Sequence, residues 1–135
     1  MRLIVVSSKE DIHHINPNER MVHLAFRPSN MDVMSLINQC PRLRAVQIPP
    51  SYYRTMSDAA RQFLEIQGVT VLKGDVWGHR KDIDEYYQID EEIVEKITSL
   101  LEKGNSIEET VKKVENETKM SEDLIKYILK ENVKI

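Results

Sequence analysis

Residues 21–48 read MVHLAFRPSNMDVMSLINQCPRLRAVQI, and this one stretch holds a complete strand–helix–strand unit. Two short apolar runs, Met21–Phe26 and Ala45–Ile48, bracket a segment in which Val33, Met34, Ile37 and Cys40 recur at helical spacing. Ser29 or Asn30 is placed to cap that helix, and Pro41 to stop it. A crossover of this length is what parallel pairing requires, so the two strands are expected to lie side by side in parallel.

The pattern repeats outward. Leu3–Val6 precedes the unit and Val69–Leu72 follows it, both short and apolar. Ser8, with Asp11 three residues on, opens a short helical turn. Ser51 is expected to cap a third helix in which Tyr53, Met56, Ala60 and Phe63 form a stripe, with Gly68 as its C-terminal turn. Alternation of strand and helix predicts an α/β fold with a small, mainly parallel four-stranded sheet, comparable to one half of a flavodoxin or Rossmann domain. The stretch 40–48 also looks like a leucine-rich repeat. A solenoid ranks second, because the unit starts at 3, 21, 45 and 69 drift and no asparagine ladder is visible.

The chain changes character near Tyr86-Tyr87-Gln88. All five prolines lie at or before Pro50 and all eight arginines at or before Arg80. Residues 1–88 carry 11 basic and 10 acidic side chains, whereas residues 89–135 carry 8 and 12, so the net charge passes from +1 to −4. The expected division is an α/β domain over 1–88 and a helical module over 89–135, with no Gly/Ser linker to hold them apart. The second part reads as three helices. Ile93, Ile97, Leu100 and Leu101 stripe the first, which Gly104 ends. Ser106-Ile107-Glu108-Glu109 opens the second as a capping box, and Val111 and Val114 point inward. Ser121 caps the third, along which Leu124, Ile125, Ile128 and Leu129 are apolar.

Composition narrows the function classes. A net charge of −3 gives no general attraction for a polyanion, and the single cysteine, Cys40, cannot form an intrachain disulfide. No apolar run approaches the roughly 20 residues needed to span a bilayer, and the apolar start is too short for a secretory leader, so a cytoplasmic location is expected. His13 and His14 are adjacent and diverge on a helix, Cys40 has no CxxC neighbour, and no metal or cofactor is expected. GxGxxG, GxxxxGK[ST], GxSxG and HExxH patterns are all missing from the chain.

Ligands of parallel sheets bind beyond the carboxyl ends of the strands. Just past those ends lie Arg27 and Asn30, Ser51 and Arg54, and finally Asp75, His79 and Arg80. Three guanidiniums beside helix N-termini suit a phosphate or carboxylate, so these seven residues form the predicted ligand-binding set. The competing reading is that the serines and Asn30 cap helices while the arginines pair with local carboxylates. Trp77, between Gly74 and Gly78, suits a packing anchor better than a ligand contact. His79 with Asp75 as orienter would serve an enzyme acting on a phosphate- or carboxylate-bearing small molecule.

The three C-terminal helices also suggest a helix-turn-helix. Segment 121–131 has a net charge of −1 and no arginine to reach guanine edges, which argues against nucleic acid and for dimerisation or partner docking.

Three segments carry a resemblance: Val22–Asn30, Gln47–Tyr52 and Gly74–Asp82. They are similar to the domain-of-unknown-function family numbered 1699, found in methanogenic archaea, over nearly the whole chain. That resemblance implies an archaeal, cytoplasmic protein and brings no functional residues with it. Leu43–Asp75 is separately similar to a strand–helix–strand of the substrate domain in 2-hydroxyacid dehydrogenases, which supports the sheet and not the reaction. The leading expectation is a non-catalytic binding or regulatory protein with an anion site at the carboxyl edge of the sheet. The enzyme and the DNA-binding regulator are the alternatives.

Overall fold

The computed structural model describes residues 2–75, 86–88, 91–118 and 120–132. Four strands, β1 (Arg2–Val6), β2 (Met21–Leu24), β3 (Ala45–Ile48) and β4 (Thr70–Lys73), run parallel in the order of the sequence. The α/β fold expected from the strand–helix alternation is the one observed. The strand order β4-β3-β2-β1 winds in one direction only, as in one half of a doubly wound sheet. It therefore lacks, among these four strands, the order reversal that opens a ligand crevice in larger α/β folds. A fifth strand, β5 (Tyr86–Gln88), pairs antiparallel with β1, at the segment read above as a composition boundary.

The alternation of side chains along each strand divides the core in two. On one face Val6, Val22, Leu24, Val46 and Ile48 meet the three crossovers: a 3-10 helix (Lys9–His14), α1 (Asn30–Gln39), and the pair α2 (Pro50–Thr55) and α3 (Asp58–Ile66). On the other, Leu3, Met21, Ala45 and Leu72 meet the C-terminal helices α4 (Glu91–Glu102), α5 (Ile107–Thr118) and α6 (Glu122–Asn132). The tail was expected to pack on or near the first part; it roofs the sheet. Its stripes are spent there, since Ile97, Val111, Val114, Leu124, Ile125, Ile128 and Leu129 are all buried within one chain. Both sheet faces are thus lined by helices.

Several local readings need correction. Ser51 does not cap the third crossover, because the helix breaks at Met56-Ser57. Pro49-Pro50 starts α2 by presetting φ, and Ser57 caps α3 through the N–H of Ala60 at 3.0 Å. On α1 the buried stripe is Val33, Leu36 and Cys40, while Met34 is 48% exposed. The capping box of α1 belongs to Ser29: its hydroxyl accepts from the N–H of Asp32, whose carboxylate accepts from the N–H of Ser29. Ser8 makes no backbone cap and donates to Asp11 at 2.9 Å instead. Gly68 and Gly104 take left-handed φ of 80° and 91°, where the sequence places turns after α3 and α4.

Cys40 closes α1 beneath this core. Burial, and behind it the Glu19 carboxylate, push its thiol up to about 11 from the ordinary 9.0. The folded chain therefore keeps a proton that the unfolded chain begins to release near pH 9. Stability should fall between about pH 9 and 11, by on the order of 2 kcal/mol. At pH 8 the native thiol should be alkylated at least roughly a hundredfold more slowly than the denatured one, since the thiolate is the reactive form. Labelling at equal rates with and without denaturant contradicts this.

Candidate functional site

The carboxyl edge of the sheet gathers part of the predicted set. Arg27, exposed just past β2, places its guanidinium 5.9 Å from the centre of the Tyr52 ring, next to Ser51. Tyr53 beside it has Arg61 at 5.3 Å and Lys73, the last residue of β4, at 5.7 Å. Arg61 also pairs with Asp58. Asn30 opens α1, and its side-chain oxygen accepts from the Ser57 hydroxyl at 2.6 Å. Arg54 lies exposed in the last turn of α2, and Asp75 is exposed two residues after β4. His79 and Arg80, with Trp77 and Gly78, fall outside the described residues. The edge thus joins Arg27 and Asn30 to the 51–57 segment, with two half-buried tyrosine rings, of which Tyr53 was expected in a helix stripe and Tyr52 in no role.

Behind this edge the sheet meets α6 through polar groups. His23 and Gln47, 3% and 1% exposed, stand on neighbouring strands in register. Gln47 Nε2 lies 3.0 Å from His23 Nδ1, and Gln47 Oε1 accepts from the Ser121 hydroxyl at 2.8 Å. Because the amide oxygen faces Ser121, its NH2 donates to His23 Nδ1, which is thereby the unprotonated ring nitrogen. Ser121 Oγ in turn accepts from the N–H of Leu124, so one hydroxyl both caps α6 and ties it to the sheet. Asp123 accepts from the N–H of Lys73 at 2.8 Å, occupying a donor on the edge strand. His23 is thus a buried core residue held by a hydrogen bond.

From that seam α6 runs back across the sheet. Tyr127, 7% exposed, feels the charge of Arg44, which immediately precedes β3. Burial, then Glu131, push its hydroxyl up, and Arg44 acts the other way. Around Arg44 lies a feature the sequence reading missed. Arg20 O accepts from the N–H groups of Arg44 (2.7 Å) and Ala45 (3.1 Å), which brings the amino ends of β2 and β3 together. Arg20, Arg42 and Arg44 line an open cleft of about 450 Å³ with Gln67 and Gly68. The signal was available: Met21 and Ala45 are paired strand starts, so an arginine just before each was bound to share an edge.

The C-terminal helices pack mutually, and three residues, 119–121, join α5 to α6. That is the turn length of a helix-turn-helix. However, Leu124, Ile125, Tyr127, Ile128 and Leu129 of α6 are buried, and Glu122, Lys126 and Lys130 are left as its exposed strip. Glu122 and Lys126 pair at 2.8 Å. A recognition helix reads base edges with its free face, and the strip left here, with Glu131 exposed beside it, balances two acids against two lysines and has no arginine. Among the described residues no helix is long and apolar enough to cross a membrane.

No curated protein and no solved structure matches the chain. Two family models do: "Family of unknown function (DUF1699) N-terminal domain" over residues 2–85, and "Protein of unknown function (DUF1699) C-terminal HTH domain" over residues 92–130. With most of its length matched by these two models in order, the chain belongs to the DUF1699 family.

Proposed function

We propose that the protein is a non-catalytic binding protein of regulatory type, and that it holds a small anionic ligand at the carboxyl edge of its sheet. The observation that carries this reading is the pair of half-buried tyrosine rings, Tyr52 and Tyr53, each with a side-chain cation near its face. Arginine and lysine beside aromatic rings offer a planar anion both charge and stacking. Arg27 and Lys73 take part in no ion pair with a described carboxylate. Arg54 and Ser51, exposed on α2, are the flanking donors, and His79 and Arg80 follow in the chain. Asn30 contributes its main-chain N–H at the start of α1, its side-chain oxygen being held by Ser57. The division at residue 88 goes with this reading: ligand in the α/β part, helices as its fixed roof.

Calorimetry against a panel of nucleotides and phosphorylated metabolites tests it. Arg27→Ala should weaken the best binder about tenfold or more, the loss of roughly 1.4 kcal/mol. A panel without a single binder, or an Arg27→Ala variant that binds unchanged, removes the proposal.

The second reading, a DNA-binding regulator, is favoured by the three-residue turn and by the HTH description of the C-terminal family model. It predicts salt-sensitive binding to duplex DNA. A flat mobility-shift titration at low salt ends it.

A further inference from the structure

The cleft at the opposite, amino edge of the sheet has a different character. Arg20, Arg42 and Arg44 are all exposed and border one concavity with Gln67 and Gly68. Neither an ion pair nor an aromatic contact engages any of the three guanidiniums among the described residues. The backbone holds Arg20 beside Arg44, because Arg20 O accepts from the N–H of Arg44, and Arg42 lies two residues before Arg44 on the same cleft wall. Three like charges fixed at one rim repel each other, and a concave wall focuses their field outward. The protein as a whole is at −3, so this cationic concentration runs against the average.

We infer that the amino-edge cleft of Arg20, Arg42 and Arg44 is a binding site for a small molecule carrying two or more linked phosphoryl groups. A guanidinium fork matches a phosphoryl group with two parallel N–H donors. A single phosphate draws three guanidiniums together over four oxygens against their mutual repulsion, whereas linked phosphoryl groups offer separate oxygen pairs along the rim. A cleft of about 450 Å³ lies in the range of small-molecule sites and accommodates an oligophosphate. Gln67, which also lines the cleft, brings a neutral side-chain amide to the set. Tyr127 of α6 lies within reach of the Arg44 charge, so the helical module stands at the border of this site. The site is separate from the carboxyl edge and does not depend on the ring-flanked cations there.

Titration calorimetry of the full chain at low salt tests this, with sodium tripolyphosphate as the probe. Inorganic phosphate, citrate and a duplex DNA oligomer form the comparison arms. The expected result is one tripolyphosphate site, at least tenfold tighter than inorganic phosphate or citrate, and weakened tenfold or more in Arg44→Gln and again in Arg42→Gln. Lys112→Gln, exposed on α5 and belonging to neither edge set, should bind tripolyphosphate as the unmodified chain does. All three positions are exposed, and unchanged melting of the variants without ligand verifies that they fold. The inference is overturned if tripolyphosphate does not bind, if citrate binds equally well, or if the Arg42 and Arg44 variants keep full affinity. DNA binding that exceeds tripolyphosphate binding and is lost in the same variants likewise overturns it, in favour of a phosphodiester surface.

Discussion

Gly74→Val is expected to lift the N-terminal end of α6 from the sheet and to lower the melting temperature by roughly 10 °C. A Cβ at residue 74 would stand 2.2 Å from Ser121 Cβ, 2.5 Å from Ser121 Oγ and 3.3 Å from Gln47 Oε1. The first two atoms belong to the cap residue of α6, which holds both the helix amide of Leu124 and the buried Gln47. They cannot retreat without opening that junction. Overpacking costs about 1–3 kcal/mol and a lost cap about 1 kcal/mol more. At about 4 °C per kcal/mol for a domain of this size, the shift is large enough to read in any thermal melt. The matching relief is Ser121→Gly, which deletes both obstructing atoms. In the double variant part of the loss should return, giving a favourable coupling between the two positions. If Gly74→Val melts with the unmodified chain, α6 is not seated as described.

Ile125→Ala should cost about 2–5 kcal/mol, because the side chain is fully buried where α6 faces the sheet. Ile66→Ala, at a residue 80% exposed on α3, should change stability by no more than about 0.5 kcal/mol. The contrast matters more than either value. Leu3, Met21, Ala45 and Leu72 of the sheet share one cluster with the tail helices, so far- and near-ultraviolet dichroism should report the same single transition in Ile125→Ala. Two separated transitions would mean that the roof and the sheet fold independently.

Much of this architecture was legible because it rests on local rules. Short apolar runs marked the four parallel strands and period-3.6 patterns the tail helices, and Ser29, Ser106 and Ser121 all cap as their spacing implies. The split of the third crossover escaped because Pro49-Pro50 and Ser57 are two competing start signals, and the apolar stripe of Tyr53, Met56, Ala60 and Phe63 runs straight through the break. Met34 was misassigned to the core because a ten-residue helix offers two plausible stripes, and only the neighbouring crossovers choose between them. The site divided along similar lines. Residues past strand ends could be placed on the carboxyl edge from topology alone. The arginine cleft required knowing which strands are neighbours, since Arg20 and Arg44 are distant in the chain and adjacent only through the pairing of β2 with β3.

A sheet covered by helices on both sides has no open face on which chemistry could be built. The two ligand sites proposed above both lie at its rims, where Arg20, Arg27, Arg42, Arg44 and Arg54 are exposed. Binding preference is therefore free to change by substitution at a handful of rim positions while the interior stays as it is, and the interior can be re-tuned for heat or cold without disturbing what the rims select.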